Sequence, residues 1–297
     1  VIAPEIACVV LSLADEATLV AAVRSVLDEG EPVEVVVVNS GGGDPDARLR
    51  AAGIDVPVID RPERLFPGAV RNLGIAATRA PYVSFLAADC LARPGWLAGR
   101  LREHRAGAAA VASCPANAYP ASVSAWASLL LLHNRLLPVG SRDSRLYYGL
   151  SYERGLFERF GLFDETLRAG EDTEFNARIR SSVTLIRAND VETAHRYPTS
   201  VRAFLADAHR RGLLAATTLG HIHDTRPQGI RVACRAAMNV IASLRRAWLV
   251  PRPARLAVLR AWPLVPLGGA AFAAGALTAY VRPYDDQGES HQVEERS

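Results

Sequence analysis

Short runs of apolar, largely β-branched residues alternate with helical patterns through the first ninety positions, and this alternation constrains the fold more than any other feature. IACVVL at 6–11 and VEVVVV at 33–38 read as strands, as do a short run at 56–59 and YVSFL at 82–86, which follows Pro81. Between them, 15–29 carries helical spacing at Leu19, Val23, Val26 and Leu27, and 67–80 reads as a second helix. Apolar strands without polar alternation are buried on both faces, so the pattern predicts a largely parallel sheet covered by helices on either side. Such sheets bind ligands beyond the carboxyl ends of their strands. Three segments fall there: 12–16, 39–44 and 87–90. Further on, 96–104, 123–136, 153–160, 170–180 and 200–219 read as helices, and 108–113, 183–187 and 191–195 as strands.

Charge narrows the chemistry. All 34 basic residues are Arg and none is Lys. That excludes a P-loop lysine, the kinase strand lysine and a Schiff-base lysine, so bound phosphates must be met by arginine, backbone amides or a metal. The charge is also unevenly spread. Residues 225–284 hold nine Arg and no acid, whereas 285–297 hold one Arg and five acids. A basic block suits an anionic surface. The uncharged run at 261–281, AWPLVPLGGAAFAAGALTAYV, favours a membrane over nucleic acid as that partner, as a span or a surface contact, and the alternative is a buried hairpin of the soluble core. The expected organisation is therefore a domain over 1–224, a basic and apolar helical membrane-associated region over 225–284 and a disordered acidic tail over 285–297. Cys8, Cys90, Cys114 and Cys234 show no paired metal spacing, and no secretion signal is read at the start. A reduced, cytoplasmic setting is expected, at the inner face of the cell membrane.

Several residues at the expected mouth of the sheet could carry chemistry, each beside a plainer role. NSGGGD at 39–44 could bring backbone amides, Gly41 among them, close to a nucleotide, or be an ordinary strand-to-helix turn. Arg71, in FPGAVRNLGIA, could grip a diphosphate bidentately or serve a surface pair. Asp89 could ligate a divalent cation or cap a turn. In the cluster 171–174, neighbouring helical positions diverge, so Glu171 and Asp172 cannot oppose one another, and all three acids could simply complement the helix dipole. His195 could be a nitrogen ligand of the same metal or a polar strand end. His221, His223 and Asp224 are read as structural.

In order along residues 6–197, these motifs resemble a family 2 glycosyltransferase of the GT-A fold. An apolar strand leads into Ser12-Leu13-Ala14-Asp15-Glu16, a second strand into Asn39-Ser40-Gly41, and a helix carries Arg71-Asn72. The D-x-D motif is represented by Ala87-Ala88-Asp89, and GLSYERGLFERFGLFDETLRAGEDTEF at 149–175 is the most specific match. The sequence departs from the family at Ala87, where the first carboxylate is missing, and at Asn39-Ser40, where an Asp pair is commoner.

The resemblance implies a three-layer α/β/α sandwich with a mostly parallel central sheet. It implies a hexosyltransferase-type inverting enzyme using a nucleotide-sugar donor, with an acceptor that is a glycan, a lipid-linked sugar or a small molecule. Asp172 would be the general base and Glu171 would position it or the acceptor. Ser12, Asp15, Glu16, Asn39, Gly41 and Arg71 would bind the donor, and Asp89 with His195 would hold a divalent cation, Mn or Mg. The alternative is a catalytically inactive binding or scaffold protein on the same fold. A sugar-phosphate nucleotidyltransferase is disfavoured because no lysine exists.

Overall fold

The protein's structure is a computed structural model that describes residues 3–14, 16–137, 148–222, 228–247 and 252–281. Asp15, His223, Asp224 and the acidic segment 285–297 lie outside the described residues. In chain order the elements are β1 (Ile6–Leu13), α1 (Leu19–Leu27), β2 (Val33–Ser40), α2 (Pro45–Ala51), β3 (Val58–Arg61), α3 (Pro67–Ala77), β4 (Tyr82–Ala87) and β5 (Cys90–Ala92). Then follow α4 (Trp96–Arg105), β6 (Ala110–Asn117), α5 (Val123–His133), β7 (Leu150–Glu153), α6 (Gly155–Phe160), α7 (Glu171–Ile179), β8 (Leu185–His195) and α8 (Val201–Ile222). The last three are α9 (Gly229–Ala247), α10 (Arg252–Ala261) and α11 (Leu264–Val281).

One eight-stranded sheet runs β3-β2-β1-β4-β7-β6-β8-β5. The β3-β2-β1-β4 half is parallel throughout, and antiparallel β7 joins it to the parallel pair β6 and β8. The continuous apolar strands are explained by their two faces. Ile6, Cys8, Val10, Val35 and Val37 enter one core with α1 and α4, while Val9, Val36, Val38 and Phe85 enter the other with α3, α6 and α7. This is the expected mostly parallel three-layer arrangement.

Two strand readings change. The two runs expected at 183–187 and 191–195 form the single strand β8, because its register on β6 shifts between Ala112↔Arg187 and Cys114↔Glu192, and residues 188–191 bulge opposite Ser113 to take in the polar Asn189-Asp190 step. The three-residue β5 carries too little pattern to be seen in sequence, yet it pairs Cys90 with His195. A third core lies at the carboxyl side, where α5 and α8 meet α10 and α11 through Leu129, Leu130, Phe204, Val258 and Val265. Among the described residues no single helix is long and apolar enough to cross a membrane. A pair, Ala254–Ala261 and Leu264–Tyr280, passes only jointly and is bent by 54°.

Candidate active site

Three adjoining cavities open where β1, β2 and β4 end and β5 begins, and Asp89 and Arg210 line all three. The first, about 780 Å³, is walled by Ser12, Glu16, Ser40, Arg71 and Glu171, with His209 and Leu213 of α8 across from them. The second, about 400 Å³, holds Asp172, His195, Cys90, Tyr148 and Arg211. The third, about 750 Å³, passes Glu16, His195, Tyr197, Asp207 and Arg211.

Asp89 is held by its backbone as much as by its side chain. It sits in the tight turn between β4 and β5, where the Ala88 N–H donates to the Leu11 carbonyl and the Asp89 carbonyl accepts from the Arg196 N–H. Because Cys90 faces His195 across the β5–β8 ladder, His195 Nε2 comes within 3.4 Å of Asp89 Oδ2. The His195 ring stacks on Tyr197 with centroids 4.5 Å apart, and Tyr197 shares a hydrogen bond of 2.8 Å with His133 Nδ1. Burial lowers the His195 pKa while Asp89 opposes the shift, so the ring favours the neutral form that ligates metals. Its Nδ1 is buried without a hydrogen-bond partner among the described residues. Donor atoms of Asp89, Cys90 and His195 lie within 4.8 Å of one another. A carboxylate and a neutral imidazole beside an open cavity fit a divalent cation that takes its remaining ligands from substrate oxygens.

The three acids at the start of α7 have three different surroundings. Gly170 adopts φ +86°, a left-handed turn that starts the helix at Glu171. Glu171 is buried and paired with the guanidinium of Arg71, which lies 5.4 Å from the ring centroids of both Phe85 and Phe163. Beside it, Asn72 donates to the Phe163 carbonyl at 2.9 Å and to Glu165 at 2.8 Å, and its own carbonyl accepts from the Phe163 N–H. The Arg71-Asn72 step therefore clamps the segment leading into α7. Asp172 is half-buried and lines the second cavity, its Oδ1 accepting from the Thr173 N–H at 2.6 Å. Glu174 turns away to Arg178.

At the β2 end the expected donor loop is partly scaffolding. Asn39 is fully buried and donates to the Gly42 carbonyl at 2.9 Å and to Asp60 at 2.7 Å. The Gly41 N–H donates to the carbonyls of Arg61 and Glu63. Ser40, between them, reaches the first cavity, as do Ser12 and Glu16. Ser12 Oγ is buried with no hydrogen-bond partner among the described residues. Burial, seconded by the charge of Asp89, raises the Glu16 pKa.

Arg210 and Arg211 were not singled out in the sequence. Both bond Asp207 at 2.7 Å, and both border the cavity holding Asp89 and Asp172. Burial pulls the Arg211 pKa down, but Asp207 more than offsets it. In sequence, an Asp three and four residues before an Arg pair reads as a solvated helix surface. Only the docking of α8 against the sheet mouth reveals otherwise.

A protein-family model described as Glycosyl transferase family 2 matches residues 8–158. The succinoglycan biosynthesis protein ExoU of Rhizobium meliloti (strain 1021) is 27% identical over 248 residues, covering 73% of this chain and 72% of ExoU. The pre-mycofactocin glycosyltransferase of Mycobacterium tuberculosis (strain CDC 1551 / Oshkosh) is 26% identical over 209 residues, which span 66% of this chain but 44% of that protein. Among solved structures, the mannosyltransferase PcManGT from Pyrobaculum calidifontis, in complex with GDP-Man and Mn2+, is similar at a TM-score of 0.64. The likeness covers 96% of this chain and 89% of that one at 17% identity. TarS 1–349 of S. aureus is similar at 0.51, with 95% and 93% covered and 16% identity.

Proposed function

The chain belongs to glycosyl transferase family 2, and from that premise we propose that it moves a sugar from a nucleotide-activated donor to an acceptor hydroxyl with inversion at the anomeric carbon. The observation that carries this reading is the junction of the cavities. Asp89, Arg210 and Arg71 stand between a roomy cavity at the β1 and β2 ends and a smaller one that contains Asp172. The larger cavity takes the donor, against Ser12, Ser40 and Glu16, and the smaller takes the acceptor. The structural neighbour's complex with GDP-Man and Mn2+ supports a nucleotide-sugar donor and a divalent cation as the ligand classes.

Asp172 accepts the proton of the acceptor hydroxyl as its oxygen forms a bond to the anomeric carbon. The bond from that carbon to the diphosphate oxygen breaks on the opposite face, and the nucleoside diphosphate leaves with the electron pair. Arg210 and Arg211 lie where that negative charge grows, and arginine is the only cationic side chain besides histidine that this chain has for it. Asp89 and His195 would hold a divalent cation, Mn or Mg, whose chemistry there is charge neutralisation of the same leaving group. Ala87 leaves the first D-x-D position apolar, and Glu16 brings a second carboxylate into the cavity that Asp89 lines. Arg71 acts through Glu171, holding the start of α7 so that Asp172 faces the acceptor.

Two variants test the assignment together. Asp172→Asn is expected to lower turnover by roughly 10²–10⁴-fold, with donor binding measured by calorimetry unchanged. Near-normal turnover would remove Asp172 as the base. Asp89→Ala is expected to weaken Mn2+-dependent donor binding, and an unaltered Mn2+ titration would reject Asp89 as a ligand.

A further inference from the structure

Helix α9 is built backwards for a helix on a water-facing surface. Val232, Ala236 and Ser243 face inward and are buried, as expected of its packing against α8 and α11. The outward face, where charges are the rule, instead carries Ile230, Cys234, Ala237, Met238 and Ile241. Their spacing of i, i+4, i+7, i+8 and i+11 draws one continuous apolar stripe. Ile230, Met238 and Ile241 are 58%, 57% and 65% exposed. Arg231 and Arg235 run along one edge of the stripe and are themselves exposed. Neighbouring α10 repeats the theme, with Leu256 and Leu259 exposed beside Arg260.

We propose that this face of α9, supported by α10, docks in the plane of a bilayer whose surface carries anionic phospholipid. Charge decides the occupant. Over 225–284 nine arginines stand without one carboxylate in the sequence, so the flank of the stripe is cationic. A second copy of this chain would set arginine against arginine. The chain's own acidic segment at 285–297 offers Val293 as its single aliphatic residue and cannot cover a stripe of this length. An anionic lipid surface satisfies both halves at once, acyl boundary for the isoleucines and methionine, phosphate for the arginines. The geometry favours docking over spanning, because α11, the most apolar helix, is packed against α8, α9 and α5 with Val265, Ala276 and Ala279 fully buried. The inference is independent of the sugar-transfer reading, since none of these residues borders the three cavities.

The test uses the full chain and flotation with vesicles of phosphatidylcholine, with and without phosphatidylglycerol. The protein is expected to float with phosphatidylglycerol vesicles and to be released as salt screens the arginines. Replacing Arg231 and Arg235 together by Gln should weaken that binding by about fivefold per arginine, and Met238→Glu with Ile241→Glu should abolish it. All four side chains are exposed, so melting temperature and turnover should not change in either variant. Cys234 is the one exposed cysteine of the four and sits on the stripe. A polarity-sensitive fluorophore attached there should shift to the blue on vesicle addition. Equal flotation of the parent and the Met238/Ile241 variant, or an unchanged probe, would overturn the proposal. So would a dimer in light scattering that the same variant dissolves, because that result assigns the stripe to a second copy.

Discussion

His104 shows how a single buried side chain can dominate a pH response. Its ring stacks on Tyr82 at 4.3 Å, with Nδ1 bonded to the Ala108 carbonyl at 2.7 Å and Nε2 to Ser151 at 2.8 Å. Burial holds its pKa down to about 4, against 6.5 unperturbed. The folded pKa lies below the unfolded one, so the unfolded chain takes the proton first as pH falls. Stability is complete above pH 6.5 and declines through the window down to pH 4, by about 3 kcal/mol at most. Half-buried His133, its pKa also lowered by desolvation, pulls in the same direction. Melting temperature should therefore drop across that window, and His104→Gln should flatten the drop even though its lost packing lowers the starting value. At this scale the sequence was only partly legible. Asp89, His195 and Asp172 line one cavity; the segments that carry or lead into them are patterned in the sequence, but the β5–β8 pairing that brings Asp89 to His195 is not. Arg71 was harder. Its partnership with Glu171 joins α3 to α7 across a hundred residues, and no local spacing carries that information.

The helices at the carboxyl side meet so closely that glycine is required. A Cβ at Gly275 would lie 1.9 Å from the His209 carbonyl oxygen, and one at Gly212 would lie 1.9 Å from that of Phe272. The backbone of α11 therefore fixes α8 just where His209 and Arg210 line the first cavity. Gly275→Val should force the two helices apart, costing about 1–3 kcal/mol and raising the KM for donor. Ala274→Val, one position away on the exposed face, should change neither. A melting curve and donor kinetics on the pair separate the two effects. Elements differed in legibility for a physical reason. β1, β2 and β4 are buried on both faces, which forces uninterrupted apolar runs. β5 is three residues long and exists because β8 pairs with it, so its sequence has little to announce.

Taken as a molecule, the described residues form four packed cores, and the change in charge near residue 224 is not a break in packing. Leu129, Leu130 and Phe204 share a core with Val258 and Val265. A chain ending at residue 224 should expose that apolar surface and lose cooperative unfolding. A melt within a few degrees of the full chain would show that the first two cores stand alone. Charge distribution was visible in the sequence and this packing was not, because composition is additive along a chain and contacts are not. The pairing of β5 with β8 has a consequence for how such a site can diversify. Residues 89 and 195 meet through strand register, so their side chains can be exchanged for other ligands while the backbone stays put. Losing or gaining one residue in either strand would turn every later side chain to the opposite face. In descendants of this chain, the letters at those two positions are free to change, but the length of the strands that carry them is not.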